Sequence, residues 1–195
     1  MQQTLTRASV GWWEVANAAE IPSPALLLYL DRAESNVRRM VEIAGDAGRL
    51  TPHVKTHKLG PLVELHLRHG IRRFKCATIA EAEMVAAAGG TDVLLAYQPV
   101  GPAVQRLVDL VEAYPGIRIS VIADDEQAIR AVAAAATRRG VSIPVLLDLD
   151  VGMHRTGIEP GPAAAALYRR MASLQGVSAG GLHVYDGHLR DPDPA

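Results

Sequence analysis

Two histidines and two lysines stand close together in residues 50–58, LTPHVKTHK. On a strand, His53 and Lys55 would point to one face and Val54 to the other, toward a covering helix, because side chains alternate along a strand. A lysine on the inner face of a half-buried strand end is partly desolvated, which lowers the pKa of its amine and frees it to attack a carbonyl. We therefore predict Lys55 as the catalytic nucleophile, with His53 beside it in the catalytic set. Lys58 is predicted to be a solvated charge where a helix begins.

The same basic segment has a simpler interpretation. A short string of histidines and lysines can be a basic loop that binds an anion or a nucleic acid, and the string by itself does not separate this from a catalytic lysine. The choice depends on what the rest of the chain places beside it.

A second segment of interest is residues 148–157, DLDVGMHRTG. A strand that ends in acidic residues and then glycines lets the backbone turn tightly, which places Arg155 at the mouth of a site. The alternative is a turn whose arginine only pairs with Asp148 or Asp150. We assign no role to His154.

The third segment is residues 180–188, GGLHVYDGH. By strand parity His183 and Tyr185 share one face. An aromatic side chain on that face could orient a flat ligand and exclude water from it. Asp186 and His188 are weaker candidates for loop ligands or acid/base groups.

The three segments, in this order, resemble the D-threonine aldolase and D-serine dehydratase family, which is related to the N-terminal barrel of the alanine racemases (fold-type III pyridoxal-phosphate enzymes). The resemblance extends over residues 22–195. It implies that Lys55 carries pyridoxal 5'-phosphate as a Schiff base. It also implies that Arg155 hydrogen-bonds near the phenolic oxygen of the cofactor, that Tyr185 lies against the cofactor ring, and that His183 belongs to the same cofactor-binding set.

The resemblance implies a pyridoxal-phosphate-dependent lyase that acts on D-amino acids, of the D-threonine aldolase or D-serine dehydratase type. In that family a divalent metal (manganese, magnesium or zinc) assists near the substrate hydroxyl, and its ligands lie in a C-terminal domain, so we assign no metal ligand in this chain. A homodimer is expected for the complete protein. Three alternatives stay open: a non-catalytic barrel fragment, an amino-acid racemase, and a small barrel-only pyridoxal-phosphate carrier.

Composition limits the partners. A formal net charge of −1, with charges of both signs interspersed, predicts no nucleic-acid or membrane-surface partner. The single cysteine, Cys76, excludes an internal disulfide framework and a Cys-rich zinc site, which suits the reducing cytoplasm. No window approaches the ~18 apolar residues of a membrane span.

Apolar runs alternate with helical patterns along the chain, which predicts a parallel sheet covered by helices. No Gly-x-Gly-x-x-Gly follows a predicted strand, so we favour an α/β fold of the (β/α)8 TIM-barrel type with about six of its eight strands present. We expect an N-terminal arm at 1–21 and the N-terminal part of a cofactor-binding barrel at 22–195, without the last barrel strands and a C-terminal β domain. Strands are predicted at 25–30, 53–55, 74–78, 93–96, 117–123, 145–149 and 180–185. A first helix is predicted to be capped by Asp31 and to end at Gly45 or Gly48, and further helices are predicted at 60–69, 79–88, 103–113, 125–139 and 162–174.

Overall fold

A computed structural model describes residues 11–190 as a parallel sheet with helices between its strands. The predicted arm at 1–21 and the end of the predicted barrel therefore lie partly outside the described residues. The five strands pair in the order β1-β2-β3-β4-β5, each parallel to its neighbour in the sequence. Their bounds are β1 (Arg73–Cys76), β2 (Asp92–Leu95), β3 (Arg118–Ala123), β4 (Ile143–Leu149) and β5 (Val177–Val184).

Several helix ends lie at residues that favour those positions. Thr78 and Asp125 accept backbone hydrogen bonds at the start of two helices, and Gly45 ends another in the left-handed conformation at φ 74°. The bounds are α1 (Leu30–Ala44), α2 (Gly60–Arg68), α3 (Ile79–Ala87), α4 (Pro102–Ala113), α5 (Glu126–Arg138) and α6 (Pro162–Ser173). None of the described helices is long and apolar enough to cross a bilayer.

The core lies between the helices and the outer face of the sheet. Large side chains there have no exposed surface, among them Phe74 on β1, Leu107 on α4, Ile143 on β4 and Met171 on α6. Strand residues of the opposite parity face the inside of the sheet, and the polar side chains of Lys75, Asp148 and His183 are among them. This arrangement confirms the predicted fold class, an incomplete (β/α) barrel with a parallel sheet covered by helices, although the described sheet has five strands instead of about six.

The strand predicted at 25–30 is wrong. Residues 25–29 have no regular structure, and α1 already begins at Leu30. Leu26 is 75% exposed, and no described strand pairs with this segment. A continuous apolar run fits a buried strand, but only a pairing partner makes it one, and the run itself does not reveal whether a partner exists.

The strand predicted at 53–55 is also wrong. Val54–Thr56 form a 3-10 turn, and only His53 makes a single parallel bridge, to Lys75 of β1. The backbone N–H of Lys55 is taken by the His53 side chain, so the chain coils here instead of continuing beside β1. The prediction that Val54 faces the opposite way from His53 and Lys55 still holds, because Val54 is 1% exposed while the other two line a cavity.

Candidate active site

A cavity of about 520 Å³ opens where the strands end. That volume lies within the range of about 300–1,000 Å³ of small-molecule sites. Carboxyl ends of parallel strands meet at one edge of a sheet, and this edge is where barrel enzymes place their chemistry. The polar and aromatic residues that line the cavity are His53, Lys55, Lys75, Tyr97, Gln98, Asp124, Asp148, Arg155, Thr156, His183 and Tyr185. All five predicted site residues (His53, Lys55, Arg155, His183 and Tyr185) are therefore brought together.

Lys55 lies on the turn at the edge of this cavity. Its side chain is exposed, so the expectation of a half-buried lysine is wrong; the 3-10 turn lifts it away from the sheet. The backbone N–H of Lys55 donates to Nδ1 of His53 over 3.2 Å. Burial and the charges of Lys55 and Lys75 lower the pKa of His53 to about 4, so its imidazole is neutral at pH 7 and can accept that hydrogen bond.

Lys58 does more than carry a solvated charge. Its backbone is left-handed at φ 50°, and its ammonium donates to the carbonyl of Lys55 over 2.7 Å. The same Nζ lies 2.9 Å from Oε1 of Glu81, whose side chain is 5% exposed. The other carboxylate oxygen of Glu81 accepts the N–H of Ala77, just after β1, over 2.7 Å. The turn that carries Lys55 is thus tied to the end of β1 through one buried carboxylate.

Glu81 was missed as a site residue by sequence reasoning. Burial raises the pKa of Glu81, but the Ala77 N–H and the Lys58 ammonium outweigh this and hold the pKa below its ordinary value. Nothing in the sequence separates a buried acid in a first helical turn from an exposed one. Its neighbour at the same helix end, Glu83, is exposed.

Three side chains inside the sheet form a continuous hydrogen-bonded row. Lys75 Nζ lies 2.6 Å from Nε2 of His183, and Nδ1 of His183 lies 2.5 Å from Oδ1 of Asp148. Asp148 is 3% exposed and His183 is 9% exposed. The Thr156 side chain also lines the cavity beside Asp148. The row joins β1, β5 and β4 across the floor of the cavity.

The charges of this row depend on burial and hydrogen bonding together. Burial raises the pKa of Asp148, but the hydrogen bond from His183 and the nearby Thr156 hydroxyl outweigh this and hold the pKa below its usual range. Burial lowers the pKa of Lys75, and the charges of Lys55 and Arg155 lower it further against the pull of the carboxylate. Asp148 is therefore an anion at pH 7, and its charge supports the hydrogen-bond donors that face it.

Lys75 is the second site residue that sequence reasoning missed. It stands between Phe74 and Cys76, both with no exposed surface. Strand alternation places such a lysine on the inner face of the sheet, so a signal was present in the order of the residues.

Arg155 packs on the ring of Tyr185, with its guanidinium carbon 4.5 Å from the ring centroid. Pairing of Arg155 with Asp148 or Asp150 was the alternative interpretation, and no such ion pair occurs within the described part of the chain. Asp150 instead accepts the backbone N–H groups of Gly152 and His154 and contacts the His154 ring, so it holds the turn.

The loop that carries Arg155 closes through Gly157. The N–H of Gly157 donates to Asp124 over 2.7 Å, and Ile158 then bridges back to Leu149 of β4. The φ of Gly157 is 100°, and a Cβ there would lie 2.5 Å from the backbone nitrogen of Asp150. Only glycine fits at this position, where the chain comes back to β4.

Three cations, Lys55, Lys75 and Arg155, line the cavity together with two carboxylates, Asp124 and Asp148. Among residues 11–190, no carboxylate oxygen lies within 4.0 Å of the charged nitrogens of Lys55, Lys75 or Arg155. Asp148 and Asp124, which also line the cavity, are occupied by His183 and by the Gly157 backbone. An amine, two further cations and an aromatic face suit an anionic ligand that carries a carbonyl and a flat ring. No group of three His, Cys, Asp or Glu side chains able to hold a metal occurs in the described ranges.

Comparison with known proteins identifies relatives of this chain. The family model described as the alanine racemase N-terminal domain matches residues 28–195. The chain is 32% identical to a D-threonine aldolase of an Arthrobacter species over 88% of its own length, and 32% identical to a D-threo-3-hydroxyaspartate dehydratase of Delftia sp. strain HT23 over 89%.

The crystal structure of a D-threonine aldolase from Filomicrobium marinum superposes with a TM-score of 0.79 at 34% identity and covers 88% of this chain. The chain spans less than half of these three proteins, from 45% to 46% of their lengths. Because the family model matches most of the sequence, the chain belongs to the alanine racemase N-terminal domain family.

Proposed function

We propose that this chain forms the cofactor-binding part of a pyridoxal-phosphate-dependent lyase that acts on D-3-hydroxy amino acids. The observation that carries the proposal is the Lys55 amine at the edge of a cavity that also holds Arg155 and Tyr185. The relatives named D-threonine aldolase and D-threo-3-hydroxyaspartate dehydratase support this reaction class. Aldol cleavage and dehydration both begin from an amino acid with a hydroxyl on its β carbon.

The cavity fits pyridoxal 5'-phosphate in size and in charge. The cofactor is a flat aromatic aldehyde with a phenolate and a phosphate. The cavity offers about 520 Å³, an aromatic wall and three cations that have no carboxylate partner among residues 11–190. Lys55 would hold the aldehyde carbon, Arg155 the phenolic oxygen, and Tyr185 with His183 the ring. When bound, the cofactor supplies an electron sink for cleavage at the substrate's α or β carbon.

The chain's own residues position the reacting amine. His53 accepts the N–H of Lys55 on its Nδ1 atom, so the imidazole proton lies on Nε2. Lys58 and Glu81 fix the carbonyl of the same residue. These contacts hold the turn from both sides of Lys55 and leave its side chain free to reach into the cavity.

Arg155 and Tyr185 define the mouth. A guanidinium stays charged at any physiological pH, so Arg155 favours an ionised oxygen beside it. Tyr185 is 38% exposed, and its ring supports the guanidinium on one side. A ligand that covers this ring would also exclude water from the amine.

For the whole protein, the proposal also includes a divalent metal near the substrate hydroxyl, a homodimer and a cytoplasmic location. The first two rest on the family resemblance alone, and no metal ligand is assigned among the described residues. The location is supported by the presence of a single cysteine, Cys76, which excludes an internal disulfide and so suits a reducing compartment.

The test is an absorption spectrum of the purified chain after addition of pyridoxal phosphate, before and after borohydride. We expect a band near ~420 nm that borohydride removes. Lys55→Ala should lack the band. Arg106→Ala, which removes an exposed cation on α4, is the matched control and should keep it. An equally strong reducible band in Lys55→Ala would contradict the proposal.

A further inference from the structure

The distribution of lysine in this chain singles out one residue of the cavity. The chain holds 20 basic residues, of which three are lysines, at positions 55, 58 and 75. The other 17 are arginines. In the described residues, the exposed ion pairs of long basic side chains outside the site are made by arginine and not by lysine. Lys55 and Lys58 belong to the turn described above, which leaves Lys75 without an assigned purpose.

Lys75 is built into the floor of the cavity. It lies on β1 between two fully buried neighbours and is itself half-buried, with its amine inside the sheet. A lysine head in such a place is costly unless something compensates its charge. No carboxylate does so directly within the part of the chain that the structure describes, where the direct partner of Lys75 Nζ is the ring of His183.

The hydrogen-bonded row fixes where the protons lie. Asp148 is ionised, so the proton between it and His183 lies on Nδ1 of the imidazole. Nε2 of the neutral ring is then an acceptor, and Lys75 donates to it over 2.6 Å. One N–H of the Lys75 ammonium is used in this way, and two remain available to a ligand in the cavity.

The surroundings of those two donors favour a carboxylate over a phosphate. Phosphates are typically held by several backbone N–H groups at a helix start or a glycine-rich turn. Lys75 faces side chains instead: its Nζ lies 5.9 Å from the centroid of the Tyr185 ring, and Arg155 lies over the same ring. Arg155 and the Tyr185 ring belong to the proposed cofactor site, so the group left for a second anion is the Lys75 ammonium, whose two remaining donors match the two oxygens of a carboxylate.

We infer that Lys75, held in place by His183 and Asp148, binds a carboxylate of the amino-acid substrate. The inference rests on the proposed function and deepens it. If the bound group is the α-carboxylate, every D-amino acid substrate uses Lys75. If it is the side-chain carboxylate, Lys75 selects 3-hydroxyaspartate-type substrates over threonine-type ones.

The first experiment uses the chain without cofactor and malonate as the probe. Ring nitrogen resonances of His183 in the labelled protein are followed during a malonate titration. We expect the His183 Nε2 signal to shift with binding, and Lys75→Met to weaken malonate binding at least tenfold. Lys75→Arg keeps the charge and should restore part of the affinity. Arg73→Met removes a cation from the same strand outside the cavity and should bind malonate like the parent.

Unfolding curves of each variant show whether the fold is retained. If Lys75→Met does not fold, His183→Asn is the second variant. It removes the imidazole nitrogen that accepts from Lys75 and leaves the sequence of β1 unchanged, and it should weaken malonate binding. Malonate affinity that is the same in the parent, Lys75→Met and His183→Asn would overturn the inference. So would inorganic phosphate that binds through Lys75 more tightly than malonate.

The second experiment separates the two carboxylates. D-threonine and 3-hydroxy-D-aspartate are titrated into the cofactor-loaded chain, and binding is followed by the cofactor spectrum. If Lys75→Met binds both amino acids more weakly than the parent, Lys75 contacts the α-carboxylate. If it binds only 3-hydroxy-D-aspartate more weakly, Lys75 contacts the side-chain carboxylate. No loss for either overturns the inference. Failure of the proposed function is seen separately, as a parent chain that forms no reducible link with pyridoxal phosphate.

Discussion

His53 and Lys55 share a hydrogen bond that only a neutral imidazole can make. Nδ1 of His53 accepts the Lys55 N–H, and a protonated ring would place a second donor there. Burial and the positive charges nearby keep the ring neutral by lowering its pKa from 6.5 to about 4. The state of one side chain therefore determines whether the turn that carries the candidate nucleophile holds its shape.

This state predicts a dependence of stability on pH. The unfolded chain takes up the His53 proton as the pH falls through 6.5, whereas the folded chain resists until about pH 4. Stability from His53 is therefore present above pH 6.5 and is lost between these values. We expect a loss of about 2 kcal/mol, reduced from the full shift because the ring is partly solvated.

The measurement is urea unfolding of the parent and His53→Gln at pH 8, 6, 5 and 4.5. The difference in the free energy of unfolding between the two proteins should shrink as the pH falls. A difference that stays constant over the whole range would contradict the neutral assignment.

Single residues of the site were predictable to different extents. Arg155, His183 and Tyr185 stand in segments whose glycines and acids mark strand ends, so the sequence placed them at one edge of the sheet and the structure brings them into one cavity. The row from Lys75 to Asp148 was not predicted, because it joins residues 108 and 35 positions apart in the chain. Such contacts depend on the register between strands, which no local pattern contains.

Among the elements, the turn Val54–Thr56 depends most on a contact with another element, the helix α3. Its tie to β1 is the Lys58–Glu81 pair, in which the carboxylate is buried and the lysine is 60% exposed. The helix α3 supplies the acid, and Thr78 caps the start of that helix by accepting the Glu81 N–H. A helix start, a strand end and a turn thus meet at one carboxylate.

Removal of this carboxylate's charge should loosen the turn. We expect Glu81→Gln and Lys58→Met each to lower the free energy of unfolding by about 1–3 kcal/mol, because each leaves the other partner unpaired. The double variant should lose less than the sum of the two, with a coupling of about 1 kcal/mol. Denaturant unfolding of the four proteins in the cycle measures this, and strictly additive losses would show that the pair contributes nothing.

A second prediction at this scale concerns the loop after β4. Gly157→Ala places a Cβ against the backbone at Asp150 and forces an unfavourable φ. We expect a loss of about 2 kcal/mol or more in the free energy of unfolding. Gly116→Ala is the control, because nothing lies within 4 Å of its added Cβ and its φ is not in the left-handed region. Thermal unfolding of both variants is the measurement, and equal melting temperatures would contradict the close approach.

The elements themselves followed from the sequence wherever two signals agreed. The helix predicted at 60–69 differs from α2 by one residue at its C-terminal end, and the helix predicted at 125–139 differs from α5 by one residue at each end. At α5 the capping residue Asp125 and the apolar periodicity coincide. The strand predicted at 25–30 rested on one signal, an apolar run, and proved wrong. Hydrophobicity indicates that a segment can be buried, whereas pairing decides its conformation.

At the scale of the whole molecule, the fold collects the chain's few amines at one place. The described strands run parallel, so their ends converge on the cavity, and all three lysines lie at or beside it. Arginine can serve an ion pair or a solvated surface, but it cannot form a covalent link to an aldehyde as an amine can. The distribution of lysine therefore fits a site whose chemistry needs an amine.

The central claim is that Lys55 is the residue linked to the cofactor. The direct measurement is borohydride reduction of the chain loaded with pyridoxal phosphate, followed by mass spectrometry of its proteolytic peptides. The chain has three lysines, so the added mass can be assigned to Lys55, Lys58 or Lys75 without ambiguity. We predict that the mass lies on Lys55, whereas modification of Lys58 or Lys75 with Lys55 unmodified, or no modification at all, would contradict the account.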